Sequence, residues 1–240
     1  MYKVELNLPF DKYFNAANNV YGCDKEFFRS LCKYSPIELA DIDENLYLPI
    51  LRDYGIDITW EDIENNERLY RLLQEAINII GYYAFETMFF DMARDVYDNE
   101  FENNAIKFLN DKNNEFYGYI TIDDVYIGLF QDDFNVHYSY EDEDVMEFFG
   151  DEEDYTNIEK ARKEFEDIIN ELIIDKLQEL DDYIGSKIVD MFGYGKFSFD
   201  INKKQDYSYF KDYLKGSLNF GFFFDGVKRE VAKMKRGELR

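Results

Sequence analysis

The chain has 240 residues, of which 46% are hydrophobic and 19% aromatic, and its 52 acidic and 27 basic residues give a formal net charge of −25. A chain of this length buries roughly 70 to 75% of the surface of its unfolded form, so it can fold without a disulfide or a metal ion. Its apolar content excludes a disordered acidic polymer, and no window holds the ~18 uninterrupted apolar residues that a membrane-spanning helix requires.

The N-terminal residues alternate between polar and apolar types from Met1 to Phe10, which predicts a first strand and not an export signal. Cys23 and Cys32 are the only cysteines, and their spacing fits neither a redox pair nor a zinc site. We therefore expect two free thiols, a reducing compartment and a cytoplasmic location.

The first 112 residues read as a mainly helical region. Helix starts are predicted at Asp24, Pro36 and Thr59, the last because Asp62 follows three residues later. Gly81 is predicted to break the helical run that precedes it. One apolar face of that run comprises Leu69, Leu72, Leu73, Ala76, Ile77 and Ile80.

The period then changes to the alternation that is typical of strands. Three short stretches rich in aromatic and β-branched residues predict an antiparallel meander with acidic turns. The stretches are Phe116 to Ile122, Val125 to Phe130 and Phe134 to Tyr140, and the turns are Asp123-Asp124 and Gln131-Asp132-Asp133.

A long amphipathic helix is predicted next. Thr156 and Glu159 have the spacing of a capping box, and Gly185 is the one weak point of the run. Its apolar positions follow steps of three and four: Ile158, Ala161, Phe165, Ile169, Ile173, Leu177, Leu180, Ile184, Ile188 and Met191. Gly193 and Gly195 should end this helix.

The C-terminal segment completes an α+β fold. Lys196 to Ile201 and Ser217 to Phe224 are predicted to form a β-hairpin, and Val227 to Arg240 a basic helix or a frayed end. The predicted organisation is a mainly helical region over 1–112, then an acidic meander, long helix and basic C-terminal segment over 113–240. A single domain spanning both regions fits the sequence equally well.

The charge is unevenly distributed along the chain. Asn113 to Glu159 contains fifteen acidic residues and no lysine or arginine, whereas Ile201 to Arg240 contains ten basic and five acidic residues. Duplex DNA carries one charge per about 1.7 Å of its axis, so fifteen carboxylates equal the phosphates of roughly 25 Å of duplex. If Glu141 to Asp144 is extended, its charges project in pairs from both faces of a strand.

These features favour a protein that binds a partner. Carboxylates beside tyrosines can receive arginine side chains through ion pairs and cation–π contacts. The predicted partner-binding residues are Glu141, Asp142, Glu143, Asp144, Asp151, Glu152, Glu153, Asp154, Asp123, Asp124, Asp132, Asp133, Tyr138 and Tyr140. In physical design alone, the chain resembles the acidic nucleic-acid mimics that phages and mobile elements use against restriction enzymes and CRISPR nucleases.

The resemblance implies an inhibitor that occupies the basic DNA- or RNA-binding cleft of a nuclease or another defence protein. No catalytic residues, cofactor or metal are predicted, since His137 is the only histidine and no phosphate-binding glycine loop occurs. Two alternatives stay open. One is an adaptor whose long helix packs on a partner helix and whose acidity only confers solubility, and the other is a metal-dependent enzyme that uses clustered carboxylates.

Overall fold

Helices dominate the computed structural model, which describes residues 1–22, 44–128, 133–150, 157–193, 208, 212–213, 216 and 224–237. The strands are β1 (Tyr2–Pro9), β2 (Thr121–Gly128) and β3 (Asp133–Tyr140). The helices are α1 (Phe10–Tyr13), α2 (Asn15–Tyr21), α3 (Glu44–Asp53), α4 (Trp60–Glu64), α5 (Glu67–Leu109), α6 (Asp142–Phe149), α7 (Ile158–Gly193) and α8 (Asp225–Lys235).

The chain divides into two compact units. Unit 1 comprises residues 1–32 and 90–197, and unit 2 comprises residues 33–89 and 198–240. The 43-residue helix α5 contributes its first half to unit 2 and its second half to unit 1.

Unit 1 contains a three-stranded antiparallel sheet in the order β1-β3-β2. The N-terminal strand β1 pairs with β3 along its whole length, from Tyr2 opposite Tyr140 to Pro9 opposite Asp133. Side chains alternate between the two faces of a strand, and the inner face of β3 is fully buried. That face consists of Phe134, Val136, Tyr138 and Tyr140.

The α+β fold with a small antiparallel sheet is confirmed, but two strand predictions differ in detail. Residues 116–120 form turns, and the third strand of the sheet is β1. Asp123 and Asp124 lie inside β2, at a bulge where Ile122 opposes Tyr138 and Asp124 opposes His137. A strand can accommodate an extra residue in a bulge and continue without a turn. The sequence pattern alone does not distinguish such a bulge from a turn between two strands. Apart from Phe224, the predicted C-terminal hairpin lies outside the described residues, as do Cys23, Asp24, Cys32 and Pro36.

Helix α7 confirms the predicted amphipathic run. Its eight central apolar positions, from Ala161 to Ile188, are fully buried. The side-chain oxygen of Asn157 accepts hydrogen bonds from the backbone N–H groups of Glu159 (3.1 Å) and Lys160 (3.2 Å), so Asn157 caps the helix. Thr156, the predicted cap, lies outside the described residues.

The core of unit 1 joins the sheet to α2, α5 and α7. The ring of Phe134 lies 4.2 Å from that of Phe14 and 4.6 Å from that of Phe101. Aromatic pairs at such distances add about 0.5–1.5 kcal/mol beyond the burial of their surface. Phe14 lies between α1 and α2 and Phe101 lies on α5, so the sheet, the start of α2 and α5 share one aromatic centre.

A buried carboxylate fixes the start of α2. Asp181 on α7 accepts hydrogen bonds from the backbone N–H groups of Ala16 (2.8 Å) and Ala17 (3.0 Å) and from the hydroxyl of Tyr97 (2.8 Å). The first N–H groups of a helix have no partner within it, so this carboxylate supplies one. Burial raises the pKa of Asp181, although the three hydrogen bonds act in the opposite direction.

Unit 2 is helical in its described part. The predicted helix start at Thr59 is confirmed: the Thr59 hydroxyl accepts a hydrogen bond from the backbone N–H of Asp62, and the Asp62 carboxylate accepts one from the backbone N–H of Thr59. The prediction that Gly81 breaks a helix is wrong, because α5 continues through it. Gly81 is buried, and packing can outweigh the cost of a helical glycine, about 1 kcal/mol.

The C-terminal helix α8 belongs to this unit. The ring of Phe224, at its start, lies 5.5 Å from the ring of Tyr54. Gly226 packs against Leu72 of α5, and the Nζ of Lys228 donates to the carbonyl oxygen of Tyr54 at 3.4 Å. Among the described helices, none combines the length and the apolar character needed to cross a membrane.

Candidate partner-binding surface

Most of the negative charge belongs to unit 1. This unit contains 34 acidic and 13 basic residues, a formal net charge of −21, whereas unit 2 contains 18 and 14, a net charge of −4. A surface that attracts a basic partner should therefore be sought in unit 1.

The segment Glu141 to Asp144 starts a helix, so the condition under which its charges would project in pairs from the two faces of a strand is not met. Glu141 precedes α6, and Asp142, Glu143 and Asp144 form its first turn. A carboxylate oxygen of Asp144 accepts a hydrogen bond from the backbone N–H of Glu141 at 2.6 Å. Acidic residues at a helix N-terminus interact favourably with the helix dipole. Part of this acidic cluster thus has a structural role.

Asp142 is engaged within the chain. Its two carboxylate oxygens accept hydrogen bonds from the Nε (2.6 Å) and NH2 (2.9 Å) atoms of Arg162, and the guanidinium lies 4.2 Å from the centre of the Tyr2 ring. The hydrogen bonds from Arg162 lower the pKa of Asp142. Glu141 and Glu143 are exposed, and neither forms an ion pair with a described lysine or arginine, whereas the charge of Asp142 is paired with Arg162.

The other predicted acidic residues are only partly described. Asp123 and Asp124 are exposed at the bulge of β2. The Oδ1 atom of Asp124 accepts a hydrogen bond from the backbone N–H of Val125 at 2.9 Å. Asp133 begins β3, but its side chain lies outside the described residues, as do Asp132, Asp151, Glu152, Glu153 and Asp154.

The two predicted tyrosines are not available to a partner. Tyr138 and Tyr140 are buried, because they lie on the inner face of β3. Their hydroxyls donate to Asn170 (3.0 Å) and Glu166 (2.5 Å) of α7, and burial raises the pKa of both tyrosines. The prediction that they receive arginine side chains is therefore corrected: they join the sheet to α7.

Other aromatic rings are exposed on unit 1. Tyr126 projects from the outer face of β2, and 43% of its side chain is accessible. It makes an edge contact, 5.9 Å between ring centres, with His137, whose Nε2 lies 3.8 Å from a carboxylate oxygen of Glu5. Tyr126 is thus an exposed ring beside the carboxylate of Asp124, the arrangement that the sequence analysis sought at Tyr138 and Tyr140.

Helix α7 carries an acidic surface that the sequence analysis missed. From residue 164 to residue 182, every exposed residue of this helix is acidic. These residues, at steps of three and four, are Glu164, Asp167, Glu171, Asp175, Glu179 and Asp182, and we call them the acidic stripe. They were missed because acidic residues were counted along segments free of lysine and arginine, whereas the stripe becomes visible only when residues are assigned to helix faces.

The geometry of the stripe sets its charge density. Eighteen residue steps at about 1.5 Å each give roughly 27 Å of helix axis for six carboxylates. One strand of B-DNA carries a phosphate per about 3.4 Å, so the stripe has about two thirds of that density. The Nζ of Lys176 lies 2.8 Å from a carboxylate oxygen of Glu179, so one carboxylate of the stripe is partly neutralised within the chain.

The described residues contain no group of three or more histidine, cysteine or acidic side chains that could hold a metal ion. The chain matches no protein-family model, and neither curated proteins nor solved structures show a match to it.

Proposed function

We propose that the protein is an inhibitor whose acidic surface occupies the basic nucleic-acid-binding cleft of another protein, such as a nuclease of a defence system. The acidic stripe of α7 carries this proposal, together with the exposed Glu141 and Glu143 at the start of α6. In that cleft, its carboxylates pair with the cationic side chains that otherwise bind phosphates, so DNA or RNA is excluded.

The rigidity of α7 supports this role. Its buried face holds the helix in the core, so the carboxylates of the stripe are fixed at regular intervals before a partner arrives. A preorganised charge array loses little conformational entropy on binding, unlike an acidic loop. The charges also attract a basic partner over a distance of roughly 8 Å at physiological salt and accelerate the encounter.

The burial of the apolar face of α7 argues against the adaptor alternative. It requires the apolar face of α7 to pack on a partner helix, but the residues of that face from Ala161 to Ile188 are buried within the chain itself. The proposal therefore rests on the polar face of α7 and not on its apolar face.

The experiment is a capture of nucleic-acid enzymes on the immobilised protein at about 0.15 M salt, repeated at about 1 M, where the Debye length falls to about 3 Å. We expect enzymes with basic clefts to be retained at low salt, released at high salt and displaced by competing duplex DNA. Retention that duplex DNA leaves unchanged would contradict occlusion of a nucleic-acid cleft.

A stripe variant tests the surface itself. It combines Glu164→Gln, Asp167→Asn, Glu171→Gln and Asp175→Asn, which removes four charges while preserving side-chain size. Four lost contacts of about 0.5–1 kcal/mol each should weaken capture by at least about tenfold.

The matched control removes the same residue types from exposed positions of unit 2, with Asp53→Asn, Asp57→Asn, Glu61→Gln and Glu64→Gln. We expect its capture to stay within about twofold of the parent protein, since it removes the same net charge from outside the stripe. Equal weakening by both variants would show that only total charge matters and would refute the stripe as the binding surface.

A further inference from the structure

Strand β1 is one of the two edge strands of the sheet, since the order β1-β3-β2 leaves β3 in the centre. It pairs with β3 over all eight of its residues and without a bulge. Within the described part of the chain, no strand pairs with the other side of β1. A regular edge of this length presents a row of backbone N–H and C=O groups on which a further strand can form.

The opposite edge, β2, has features that discourage such pairing. A bulge interrupts its register between Ile122 and Asp124, and Asp123 and Asp124 add two exposed charges of the same sign. Bulges twist an edge away from an incoming strand, and like charges repel it. Strand β1 has a regular register, and the charges of its Lys3 and Glu5 are opposite. The sheet is therefore better suited to extension at β1 than at β2.

The apolar face of β1 is incompletely covered. Its inner-face residues Tyr2, Val4 and Leu6 are half-buried, whereas the residues opposite them on β3 are buried. A strand placed beside β1 would remove the remaining apolar surface of these side chains from water, which favours pairing.

We propose that β1 pairs with β1 of a second copy of this chain, antiparallel and about a two-fold axis at Val4. In this register, Lys3 of each copy lies opposite Glu5 of the other, and Tyr2 lies opposite Leu6. Opposite residues of antiparallel strands lie on the same face, so charged residues meet charged residues and apolar residues meet apolar residues. The two sheets join into one sheet of six strands.

The charges of β1 select this register. An axis at Lys3 or at Glu5 would place two identical charges opposite each other, and an axis at Leu6 would leave both residues without a charged partner. An axis between two residues would bring the apolar face of one sheet to the polar side of the other. Of these registers, the one centred on Val4 forms two pairs of opposite charge.

The net charge of −25 on each chain opposes association of two copies. At about 0.15 M salt, however, the field of an exposed charge extends over only roughly 8 Å, so charges close to the edge have the largest effect. The side chains of Lys3 and Glu5 are exposed, and their charges cancel on β1. The dimer is tested on the protein alone, so the result does not depend on the proposed inhibitory function.

Sedimentation equilibrium of the full chain at about 0.15 M salt, from about 1 to about 300 µM protein, measures the association. We expect the parent protein to form a dimer in this range. Lys3→Glu and Glu5→Lys should each weaken the dimer by at least about tenfold, because two pairs of opposite charge become two pairs of like charge. The double variant Lys3→Glu with Glu5→Lys should restore the dimer, and a mixture of the two single variants should form a heterodimer.

The matched controls are Lys112→Glu and Glu115→Lys, which make the same changes of charge at exposed positions of unit 1 outside the sheet. Each should change the dissociation constant of the dimer by less than about twofold. A parent protein that stays monomeric would overturn the proposal and would leave the edge to a strand of another protein. Equal weakening by the controls, or a double variant that associates no better than the single variants, would equally overturn it.

Amide hydrogen exchange at high and low protein concentration locates the contact. We expect amides of β1 to exchange more slowly at high concentration, because those on the free edge gain hydrogen bonds in the dimer, whereas amides of β2 should be unaffected. Concentration-dependent protection of β2, or none of β1, would show that the chains associate through a different surface.

Discussion

A Cβ atom on Gly185 of α7 would lie 3.0 Å from the Cβ of Ala16 on α2. That distance is tighter than carbon atoms usually approach, so the two groups would have to move apart by a few tenths of an ångström. Asp181, one turn earlier on α7, holds the N-terminus of α2 by two backbone hydrogen bonds. The absent side chain at Gly185 and the carboxylate of Asp181 therefore together set how closely these two helices approach.

Gly185→Ala should destabilise the protein by about 1 kcal/mol, even though alanine is the better helix former. The gain in helix propensity is about 0.5–1 kcal/mol, whereas overpacking a core contact costs about 1–3 kcal/mol. Urea unfolding measures the difference. In a double-mutant cycle, Ala16→Gly should cost less in the Gly185→Ala background than in the parent protein, and simple additivity would contradict the contact.

Asp181→Asn should lower the free energy of unfolding by about 2–4 kcal/mol. The amide has one oxygen for three donors, so at least one buried N–H or O–H group loses its acceptor, at about 1–3 kcal/mol each, and the NH2 group faces another donor. The neighbouring Asp182→Asn is the control, because Asp182 is exposed and should change stability by less than about 0.5 kcal/mol. Equal effects of the two substitutions would contradict the role given to Asp181.

The stripe variant should be more stable than the parent protein. Like charges three or four residues apart on a helix cost about 0.2–0.5 kcal/mol per pair, and the four substitutions remove four such pairs. They also remove two opposite-charge pairs four residues apart, Lys160 with Glu164 and Lys163 with Asp167, so the net gain is about 0.4–1 kcal/mol. Thermal unfolding at low salt should show a Tm higher by a few degrees, since about 1 kcal/mol shifts Tm by 2–4 °C in a chain of this size. The difference should shrink near 1 M salt, where the Debye length is about 3 Å. A gain that salt does not reduce would contradict charge repulsion as its cause.

Arg162→Gln should raise the pKa of Asp142 back toward its ordinary value, because the guanidinium hydrogen bonds that lower it are lost. A lowered pKa in the folded state gives stability that is present above the unfolded value and disappears as pH falls through the folded value. As pH falls through the folded-state pKa of Asp142, the free energy of unfolding should therefore decrease more in the parent protein than in the variant. Carboxyl NMR titration of Asp142 measures the first effect, and urea unfolding at neutral and acidic pH measures the second. An unchanged Asp142 pKa in the variant would contradict this account.

The elements that the sequence predicted correctly are those whose signal is local and repeated. Helix α7 has ten apolar positions in register over its length, and an error at one position would not have changed the prediction. Thr59 and Asp62 likewise form their cap within three residues. The α+β class followed from the change of period between α5 and β2.

The errors arose where two local signals compete. Glu141 to Asp144 follows a strand directly, which left an extended conformation open, but four acidic residues ahead of Val145 are also typical of a helix N-terminus. The structure follows the second signal. At Gly81, weak local propensity was overruled by packing, as it often is in long buried helices.

The contacts that join distant segments could not be predicted. Asp181 lies 165 residues from Ala16 in the chain, and nothing in its neighbours separates it from the exposed Asp182. The burial of Tyr138 and Tyr140 also depends on which face of the sheet meets α7, and alternation alone gives two equivalent choices.

The polar face of α7 has a further consequence for how the sequence can change over time. Folding alone does not require the carboxylates of the stripe and is even opposed by them, so random substitution under selection for folding alone should replace them with neutral or basic residues. The buried face has no such freedom, because its positions are held by close packing. If diverged copies of this protein retain six acidic residues on the exposed face of α7, that retention would therefore record selection for what the helix binds, independent of selection for the fold.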